Sequence, residues 1–231
     1  MKAKKNKIEN YYQAYEKRYS QVYDNNMLWS SKEVTKEVII FLKNNHVKKE
    51  QNILELGCGE GRDAIFLLNK GYNVLAVDYS KTVINKCIEL SGEKFNHNFK
   101  QFDLLTDKVD IKFDFIYSVA VLHMFVLNKH RKKFWQTIFE HLQNNGKALI
   151  CIMGDGKKEY MSNINEAFEN VERIVLNNQS KINVAATSCR IVNWETLEKE
   201  ISSENLVIEE KWITDDIPEF NPSMCVVVKK V

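Results

Sequence analysis

Residues 53–64 read ILELGCGEGRDA, and this stretch decides how the chain is interpreted. An apolar run comes first, three glycines follow at alternate positions (Gly57, Gly59 and Gly61), and a helical pattern begins directly after them. Glycine adopts unusual backbone dihedrals and lets a ligand approach the main chain closely. A glycine-rich turn between a strand and a helix therefore predicts a ligand loop at a helix N-terminus.

The spacing of the glycines, G-x-G-x-G, argues against a dinucleotide site, whose fingerprint places its third glycine where this chain has Arg62. Glu55, two residues before the first glycine, is expected to organise a cationic group of the ligand. Glu60 and Arg62 are expected to be exposed loop residues. Asp63 is expected to complement the positive end of the helix dipole.

A second acid, Asp78, follows the next apolar run, NVLAV at 73–77, about twenty residues after the loop. An acid at this position can accept hydrogen bonds from both ribose hydroxyls, which selects a nucleoside without a 2′-phosphate. A helix cap is the alternative role for Asp78, as it is for Asp103. The loop and Asp78 together predict a nucleoside-containing ligand.

Short apolar runs alternate with helical patterns along the rest of the chain. Strands are predicted at 52–56, 73–77, 99–103, 113–121 and 147–153, and helices at 61–70, 80–90 and 128–143. This alternation indicates βαβ units and a parallel sheet covered on both faces. A helix from Asn193 and two runs at 205–213 and 224–230 follow. The short connection between those two runs predicts an antiparallel pair.

The motifs and their order resemble class I S-adenosylmethionine-dependent methyltransferases. ILELGCGEGR is similar to the family's first motif, VLAVDYS to its second, QFDLL to its adenine-contacting segment and FDFIYSVAVLHMF to its fourth-strand motif. The resemblance covers residues 50–155 well. It implies an α/β, Rossmann-like fold: a seven-stranded, mostly parallel sheet with its last strand antiparallel and helices on both faces. A weaker resemblance links residues 61–80 to methyltransferases of thiopurines, tellurite and related soft nucleophiles.

The resemblance implies S-adenosylmethionine as cofactor. The residues expected to hold it are Glu55, Gly57, Cys58, Gly59, Asp78, Tyr79, Asp103, Leu104, Ser118 and Val119. Glu55 and the glycines would line the methionine moiety, with Cys58 packed in their loop. Asp78 would bind the ribose, with Tyr79 beside the adenine. Asp103 would accept from the adenine amino group, Leu104 would offer its amide, and Ser118 and Val119 would face the cofactor.

The methyl acceptor is expected to be a small molecule that displaces the methyl group directly. His123, after the fourth predicted strand, is the candidate general base, and packing without proton transfer is the alternative. An aromatic N-terminal arm supplies the other candidate acceptor residues, Tyr12, Tyr19 and Trp29. The arm is interpreted either as a lid or as an amphipathic helix packed on the sheet domain.

The chain is divided into a helical arm or lid, residues 1–45, and a methyltransferase domain, residues 46–231, with a variable substrate-cap region at 154–190. A first helix of the arm is predicted at 8–20, and Ser30 or Ser31 is expected to cap its second helix. Within the cap region, the helical spacing of apolar side chains predicts a helix. Those side chains are Phe168, Val171, Ile174 and Val175.

The charge balance and the cysteine content exclude some classes of binding partner and metal site. There are 33 Lys and Arg against 31 Asp and Glu, so the near-balance favours neither nucleic acid nor an anionic membrane. The basic run at 129–133 is interpreted as a solvated helix face, with a protein or RNA substrate as the alternative. Five dispersed cysteines without a C-x-x-C pair predict neither a disulfide framework nor a metal site.

No apolar run reaches membrane-spanning length, and a cytoplasmic monomer or homodimer without membrane attachment is expected. A catalytically inactive module that binds S-adenosylmethionine is the alternative outside the enzymes.

Overall fold

A computed structural model describes residues 9–30, 33–175 and 180–231. The helices are α1 (Ala14–Asp24), α2 (Lys36–Asn44), α3 (Arg62–Asn69), α4 (Lys81–Ser91), α5 (Asn128–His141) and α6 (Trp194–Ser202). The strands are β1 (Asn52–Leu56), β2 (Asn73–Asp78), β3 (Phe99–Gln101), β4 (Phe113–Val119), β5 (Leu142–Met153), β6 (Tyr160–Met161), β7 (Asn170–Val175), β8 (Ser180–Ala185), β9 (Arg190–Ile191), β10 (Leu206–Thr214) and β11 (Ser223–Lys230). A 3₁₀ turn, Tyr11–Gln13, precedes α1, and Ile8 of the predicted first helix lies outside the described residues.

Seven strands form one sheet in the order β10-β11-β5-β4-β1-β2-β3. Neighbours from β5 to β3 are parallel, whereas β11 is antiparallel to both β5 and β10. This confirms the predicted fold, including the reversed last strand and the C-terminal antiparallel pair. Successive side chains of a strand point to opposite faces of the sheet, so both faces must be covered. The helices provide this cover.

Strand β1 shows how the two faces are covered. Ile53 packs into one core, with Phe41 of α2 and Leu67 of α3. Leu54 packs into the other core, which contains Phe134 of α5. Because successive side chains of a strand point to opposite faces, one short apolar run contributes to both cores.

Side-chain caps explain where two predicted helices begin. The Ser80 hydroxyl accepts from the Val83 amide (3.0 Å) at α4, and Asn193 accepts from the Thr196 amide (2.9 Å) at α6. The cap predicted for the arm's second helix is wrong at Ser30, because α2 begins after Thr35. Ser31 lies outside the described residues.

The helix predicted in the cap region is wrong. Residues 170–175 form strand β7, which pairs antiparallel with β8. Val171, Ile174 and Val175 are β-branched, and such side chains suit a pleated strand better than a helix. Val175 packs with Ile182 of β8 against α1, so the hairpin and the arm cover the domain together.

The basic run is not a solvated face throughout. The side chain of Arg131 is only 1% exposed and forms a bidentate pair with Glu200 of α6, at 2.6 Å (Nε–Oε1) and 2.8 Å (Nη2–Oε2). His130 is buried against the ring of Tyr11. The three lysines of the run also form ion pairs. Lys129 pairs with Glu9, Lys132 with Glu204 and Lys133 with Glu140. None of the described helices combines the length and apolar character that crossing a membrane requires.

Candidate active site

One cavity lies where the carboxyl ends of β1, β2 and β4 meet, which is the edge of a parallel sheet that binds ligands. The sheet edge and its loops contribute Glu55, Gly57, Cys58, Gly59, Asp78, Tyr79, Asp103, Leu104, Val119, Ala120 and Val121. The arm contributes Tyr12, Tyr15, Arg18, Tyr19, Trp29 and Ser30. Arg62, Asp63, His123, Met124, Phe125, Glu219 and Phe220 complete the lining.

The structure thus brings together the sequence-predicted site residues with one exception, Ser118. Its side chain is fully buried, and its hydroxyl donates to the carbonyl of Leu56 at 2.9 Å. Because neighbouring side chains of β4 point to opposite faces, Val119 lines the cavity and Ser118 does not. A cofactor contact through the Ser118 side chain is therefore wrong.

The glycine loop is folded tightly onto the end of β2. The amides of Gly57 and Cys58 both donate to the carbonyl of Val77, at 2.8 and 2.9 Å. Gly57 has φ +73°, and a Cβ added there would lie 2.3 Å from Cγ2 of Val121. Both the backbone conformation and the available space therefore require glycine.

Glu55 presents a buried carboxyl group to the cavity. The residue is 5% exposed, and its Oε2 has no hydrogen-bond partner in the described part of the chain. Burial, and secondarily the charge of Asp63, raise the pKa of Glu55 well above its usual range. Buried polar atoms are normally paired, so this oxygen marks a place for a hydrogen-bonding, cationic ligand group.

Asp78 is buried and held by two backbone amides. Oδ2 accepts from the Gly59 amide at 3.0 Å and Oδ1 from the Ser80 amide at 2.9 Å. Burial raises the pKa of Asp78 to about 6, while these two hydrogen bonds lower it. Each carboxylate oxygen has a second lone pair, so Asp78 keeps acceptor capacity for a ligand in the cavity.

Tyr12, expected among the acceptor residues, lies instead with the expected adenine residues. Its hydroxyl donates to Oδ2 of Asp103 at 2.9 Å, and its ring meets that of Tyr79 edge-on at 5.4 Å. Oδ1 of Asp103 accepts from the Leu105 amide. Burial and the charge of Asp103 raise the pKa of Tyr12, so its hydroxyl stays a donor.

Glu60 is a site residue that the sequence interpretation placed wrongly in solvent. Oε1 accepts from the Trp29 amide (2.7 Å), and Oε2 accepts from the amide (2.9 Å) and hydroxyl (2.8 Å) of Ser30. Arg62 is also mostly buried, and its Nη2 donates to the hydroxyl of Thr35. The loop between the glycines thus holds the arm over the cavity. No local pattern signals this, because the partners are backbone amides about thirty positions earlier.

Asp63 has a larger role than the expected helix-end charge. It accepts from the Thr35 amide at 2.8 Å and from the Thr35 hydroxyl at 2.7 Å, and this anchors the start of α2. Glu60 of the glycine loop and Asp63 of α3 thus each attach one part of the arm to the methyltransferase-like sheet edge.

We expect Glu60→Ala to detach residues 25–30 of the arm from the glycine loop while the domain stays folded. The amides of Trp29 and Ser30 lose their acceptor, so the 25–30 segment should exchange its amide hydrogens at least about tenfold faster. Hydrogen exchange followed by mass spectrometry measures this. Glu33→Ala, at an exposed position of the arm, is the matched control. Unchanged exchange at 25–30 would mean that Glu60 does not hold the arm.

His123 lies in the cavity wall, 3% exposed, with its ring centroid 5.2 Å from that of Phe220. Burial, with a smaller contribution from Arg131, lowers the pKa of His123 to about 3. Its Nδ1 accepts from the Met153 amide at 3.4 Å. A neutral ring that accepts at Nδ1 carries its proton on Nε2. This geometry favours the packing alternative over a general base.

The comparisons with known proteins agree with this geometry. A family model described as a methyltransferase domain matches residues 54–148. An uncharacterized methyltransferase of Schizosaccharomyces pombe is 33% identical over 85 residues, which are 36% of this chain and 59% of the relative. Residues 54–148, which include the glycine loop, are thus similar to a methyltransferase domain.

Two further curated proteins that are similar to this chain carry different names. The probable S-adenosyl-L-methionine-dependent methyltransferase TehB of Haemophilus influenzae is 31% identical over 100 residues, 42% of this chain and 34% of the relative. A ubiquinone biosynthesis O-methyltransferase of Rickettsia prowazekii is 30% identical over 132 residues, 52% of this chain and 46% of the relative. The chain therefore spans between about a third and three fifths of the relatives' length.

Solved structures show the same fold over nearly the whole chain. An S-adenosylmethionine-dependent methyltransferase from Clostridium acetobutylicum aligns with a TM-score of 0.63 at 19% identity, over 92% of this chain and 96% of that one. The CcbJ methyltransferase from Streptomyces caelestis aligns with a TM-score of 0.69 at 14% identity, over 94% and 99%. At these identities the likeness concerns the fold alone.

Proposed function

We propose that this protein transfers a methyl group from S-adenosylmethionine to a small-molecule acceptor by direct displacement. The buried carboxyl group of Glu55 carries the proposal, because its Oε2 has no hydrogen-bond partner among the described residues and it lies in one cavity with the glycine loop and Asp78. S-adenosylmethionine combines a methionine moiety that carries an ammonium group, a ribose with two free hydroxyls and an adenine. The chain offers a complementary group for each part.

The residues that would hold the cofactor follow from that complementarity. Glu55 would bind the amino group of the methionine moiety, Asp78 the two ribose hydroxyls, and Asp103 the adenine amino group beside Tyr79. When bound, S-adenosylmethionine supplies a methyl group on a positively charged sulfur, which makes that methyl group electrophilic. The chain contributes the binding of the cofactor, the alignment of the acceptor and the exclusion of water.

The kind of nucleophile on the acceptor is inferred from the state of His123, the candidate general base. His123 has a low pKa and carries its proton on Nε2 in this arrangement, so it is a poor proton acceptor. Soft or acidic nucleophiles need little help from a base. We therefore favour a thiol, another soft nucleophile or an acidic hydroxyl over an alkyl amine.

The size of the acceptor is inferred from the cover over the cavity. Arm residues Tyr15, Tyr19 and Trp29 line it, and so does Phe220 from the connection between β10 and β11. An enclosed aromatic wall suits a small molecule better than a polymer. The alternative of a protein or RNA substrate loses support, because acidic partners neutralise the lysines of the basic run.

Two measurements test the proposed function. Calorimetry should show S-adenosylhomocysteine binding to the purified protein, and labelled S-adenosylmethionine should transfer its methyl group to a member of a panel of thiols, phenols and heterocycles. Absence of binding would reject the function altogether. Binding without transfer to any member would support an inactive module. Transfer to RNA with steep salt dependence would support the polymer alternative.

The affinity for S-adenosylhomocysteine is expected to depend on the ionisation of Asp78. Its pKa of about 6 means that it is mostly ionised at pH 7 and mostly protonated at pH 5. The ionised form accepts from the ribose hydroxyls, so protons compete with the ligand below pH 6. Affinity should change little through Asp78 between pH 7 and 8 and fall about fivefold between pH 6 and 5.

Calorimetry from pH 5 to 8 measures this dependence. The charged and titratable groups that face Asp78 are Glu16 and Tyr19 of α1 and the Cys58 thiol, besides the amides of Gly59, Tyr79 and Ser80. Glu55 also has a raised pKa, so its proton contributes a second dependence. Asp78→Asn separates the two pH dependences, because it removes only the fall in affinity near pH 6. A fall in affinity near pH 6 that persists in Asp78→Asn would contradict the assignment of that pKa to Asp78.

A further inference from the structure

Arg18 of α1 places a buried cation in the wall of the cavity. The residue is 8% exposed and lines the cavity beside Tyr19 and Trp29. Its Nε donates to the carbonyl of Ala185 at 3.0 Å, and Nη2 donates to that of Ala186 at 2.6 Å. Its third nitrogen, Nη1, makes no hydrogen bond within the described ranges of the chain. The edge of the guanidinium group at Nη1 thus keeps N–H donors for a ligand.

The charge of Arg18 has no anionic partner among the described residues. The groups that act on its pKa are Arg173, which lowers it as burial does, and Tyr15 and Tyr19, which raise it. Five carboxyl groups also line the cavity, but none of them is among these groups. They are Glu55, Asp63, Asp78, Asp103 and Glu219. A buried cation without a counter-ion is unfavourable, whereas binding an anion recovers part of the cost of burying it.

Aromatic rings surround the guanidinium group. Its central carbon lies 4.8 Å from the ring centroid of Trp29 and 5.4 Å from that of Tyr15. Tyr19 lies near both charges, since Asp78 raises its pKa and Arg18 lowers it. Arg18 belongs to the wall that the arm forms, together with Tyr15, Tyr19 and Trp29. Rings of this kind offer flat apolar surfaces to a planar ligand.

We propose that the methyl acceptor is an aromatic or heteroaromatic molecule with an anionic group, that this group binds Nη1 of Arg18, and that the ring lies against Tyr19 and Trp29. The inference rests on the proposed function, since it names the substrate class of the same cavity. Arg18 acts in recognition and takes no part in the displacement itself. A charge-assisted hydrogen bond at a desolvated site is worth about tenfold or more in affinity.

The test uses a pair of probes that differ only in charge, 2-naphthoate and 2-naphthamide. Calorimetry on protein saturated with S-adenosylhomocysteine should show at least about tenfold tighter binding of the naphthoate to the unaltered chain. Arg18→Gln should bring the two affinities to within about twofold of each other, chiefly by weakening the naphthoate. Arg18→Lys, which keeps the charge, should retain part of the preference.

Gln21→Ala provides the matched control. Gln21 joins the same helix to the same strand, since its Oε1 accepts from the Ala185 amide, but its side chain lies outside the cavity. Its replacement should leave the ratio of the two affinities unchanged. If Arg18 only attached α1 to β8, both replacements would weaken both probes alike and the ratio would stay constant.

Three results would overturn the proposal: equal binding of the two probes, binding of neither, or an unchanged preference in Arg18→Gln. Failure of the proposed function is a separate outcome, because it would appear as no binding of S-adenosylhomocysteine. The probe pair is then measured on the protein alone, where the same Arg18-dependent preference decides the inference.

Discussion

Replacement of Asp78 by alanine is expected to weaken S-adenosylhomocysteine binding by at least about a hundredfold. Two hydrogen bonds from ribose hydroxyls to a charged acceptor would be lost, and each is worth about 1.5–3 kcal/mol. The Gly59 amide would also lose its acceptor, so the glycine loop would be less well ordered for the ligand. Calorimetry at pH 7.5 measures the affinity, and thermal unfolding shows that the variant is folded.

Asp78→Asn and Asp110→Asn refine this experiment. The asparagine at position 78 keeps one acceptor oxygen for the loop but lacks the charge, so an intermediate loss is expected. Asp110 is exposed, and its replacement makes the same change of charge away from the cavity. An affinity within about threefold of that of the unaltered chain in Asp78→Ala would remove Asp78 from the binding site.

Replacement of Glu200 by alanine is expected to destabilise the fold by about 3 kcal/mol. Arg131 lies between α5 and α6, 1% exposed, and its charge would lose the bidentate carboxylate while remaining buried. Leaving one member of such a pair without its partner is more costly than removing both. For a chain of this size the loss corresponds to a fall of about 10 °C in the unfolding temperature.

Two further variants show whether the buried pair is responsible. Glu198→Gln removes an exposed ion pair with Lys211 from the same helix, and less than about 1 kcal/mol should be lost. Arg131→Met combined with Glu200→Leu should recover much of the stability lost in Glu200→Ala, because no buried charge remains. Equal destabilisation by Glu200→Ala and Glu198→Gln would contradict the assigned role of Arg131.

Most of the half of the cavity that would hold the cofactor can be predicted from local sequence. The spacing of Gly57 and Gly59, the acid Glu55 before them and Asp78 after the next strand all depend on neighbouring residues and on strand ends. The carboxyl ends of parallel strands meet at one edge, so position along the chain predicts proximity in space. Ser118 was misplaced because its contact depends on the direction of one side chain, which alternates from residue to residue.

The acceptor half depends on contacts between distant segments. Glu60 and Arg62 stand in a loop where charged residues are ordinarily exposed, yet the returning arm buries both. The 168–175 segment has helical spacing but lies in a hairpin, because pairing with β8 outweighs a pattern of four apolar positions. Arg131 belongs to a basic run by sequence, and only the approach of α6 makes it a buried partner of Glu200.

The sequence by itself determined the class of fold, the order of its strands and helices and the expected position of the cofactor loop, since all of these follow from short-range periodicity, glycine placement and strand-end acids. Only the tertiary structure decided what the arm does. Its helix packs on the β7–β8 hairpin, Glu60 and Asp63 anchor it, and Arg18 reaches the cavity as a cation without a carboxylate. The physical reason is that burial and charge pairing arise from segments far apart in the chain, which a local pattern does not encode.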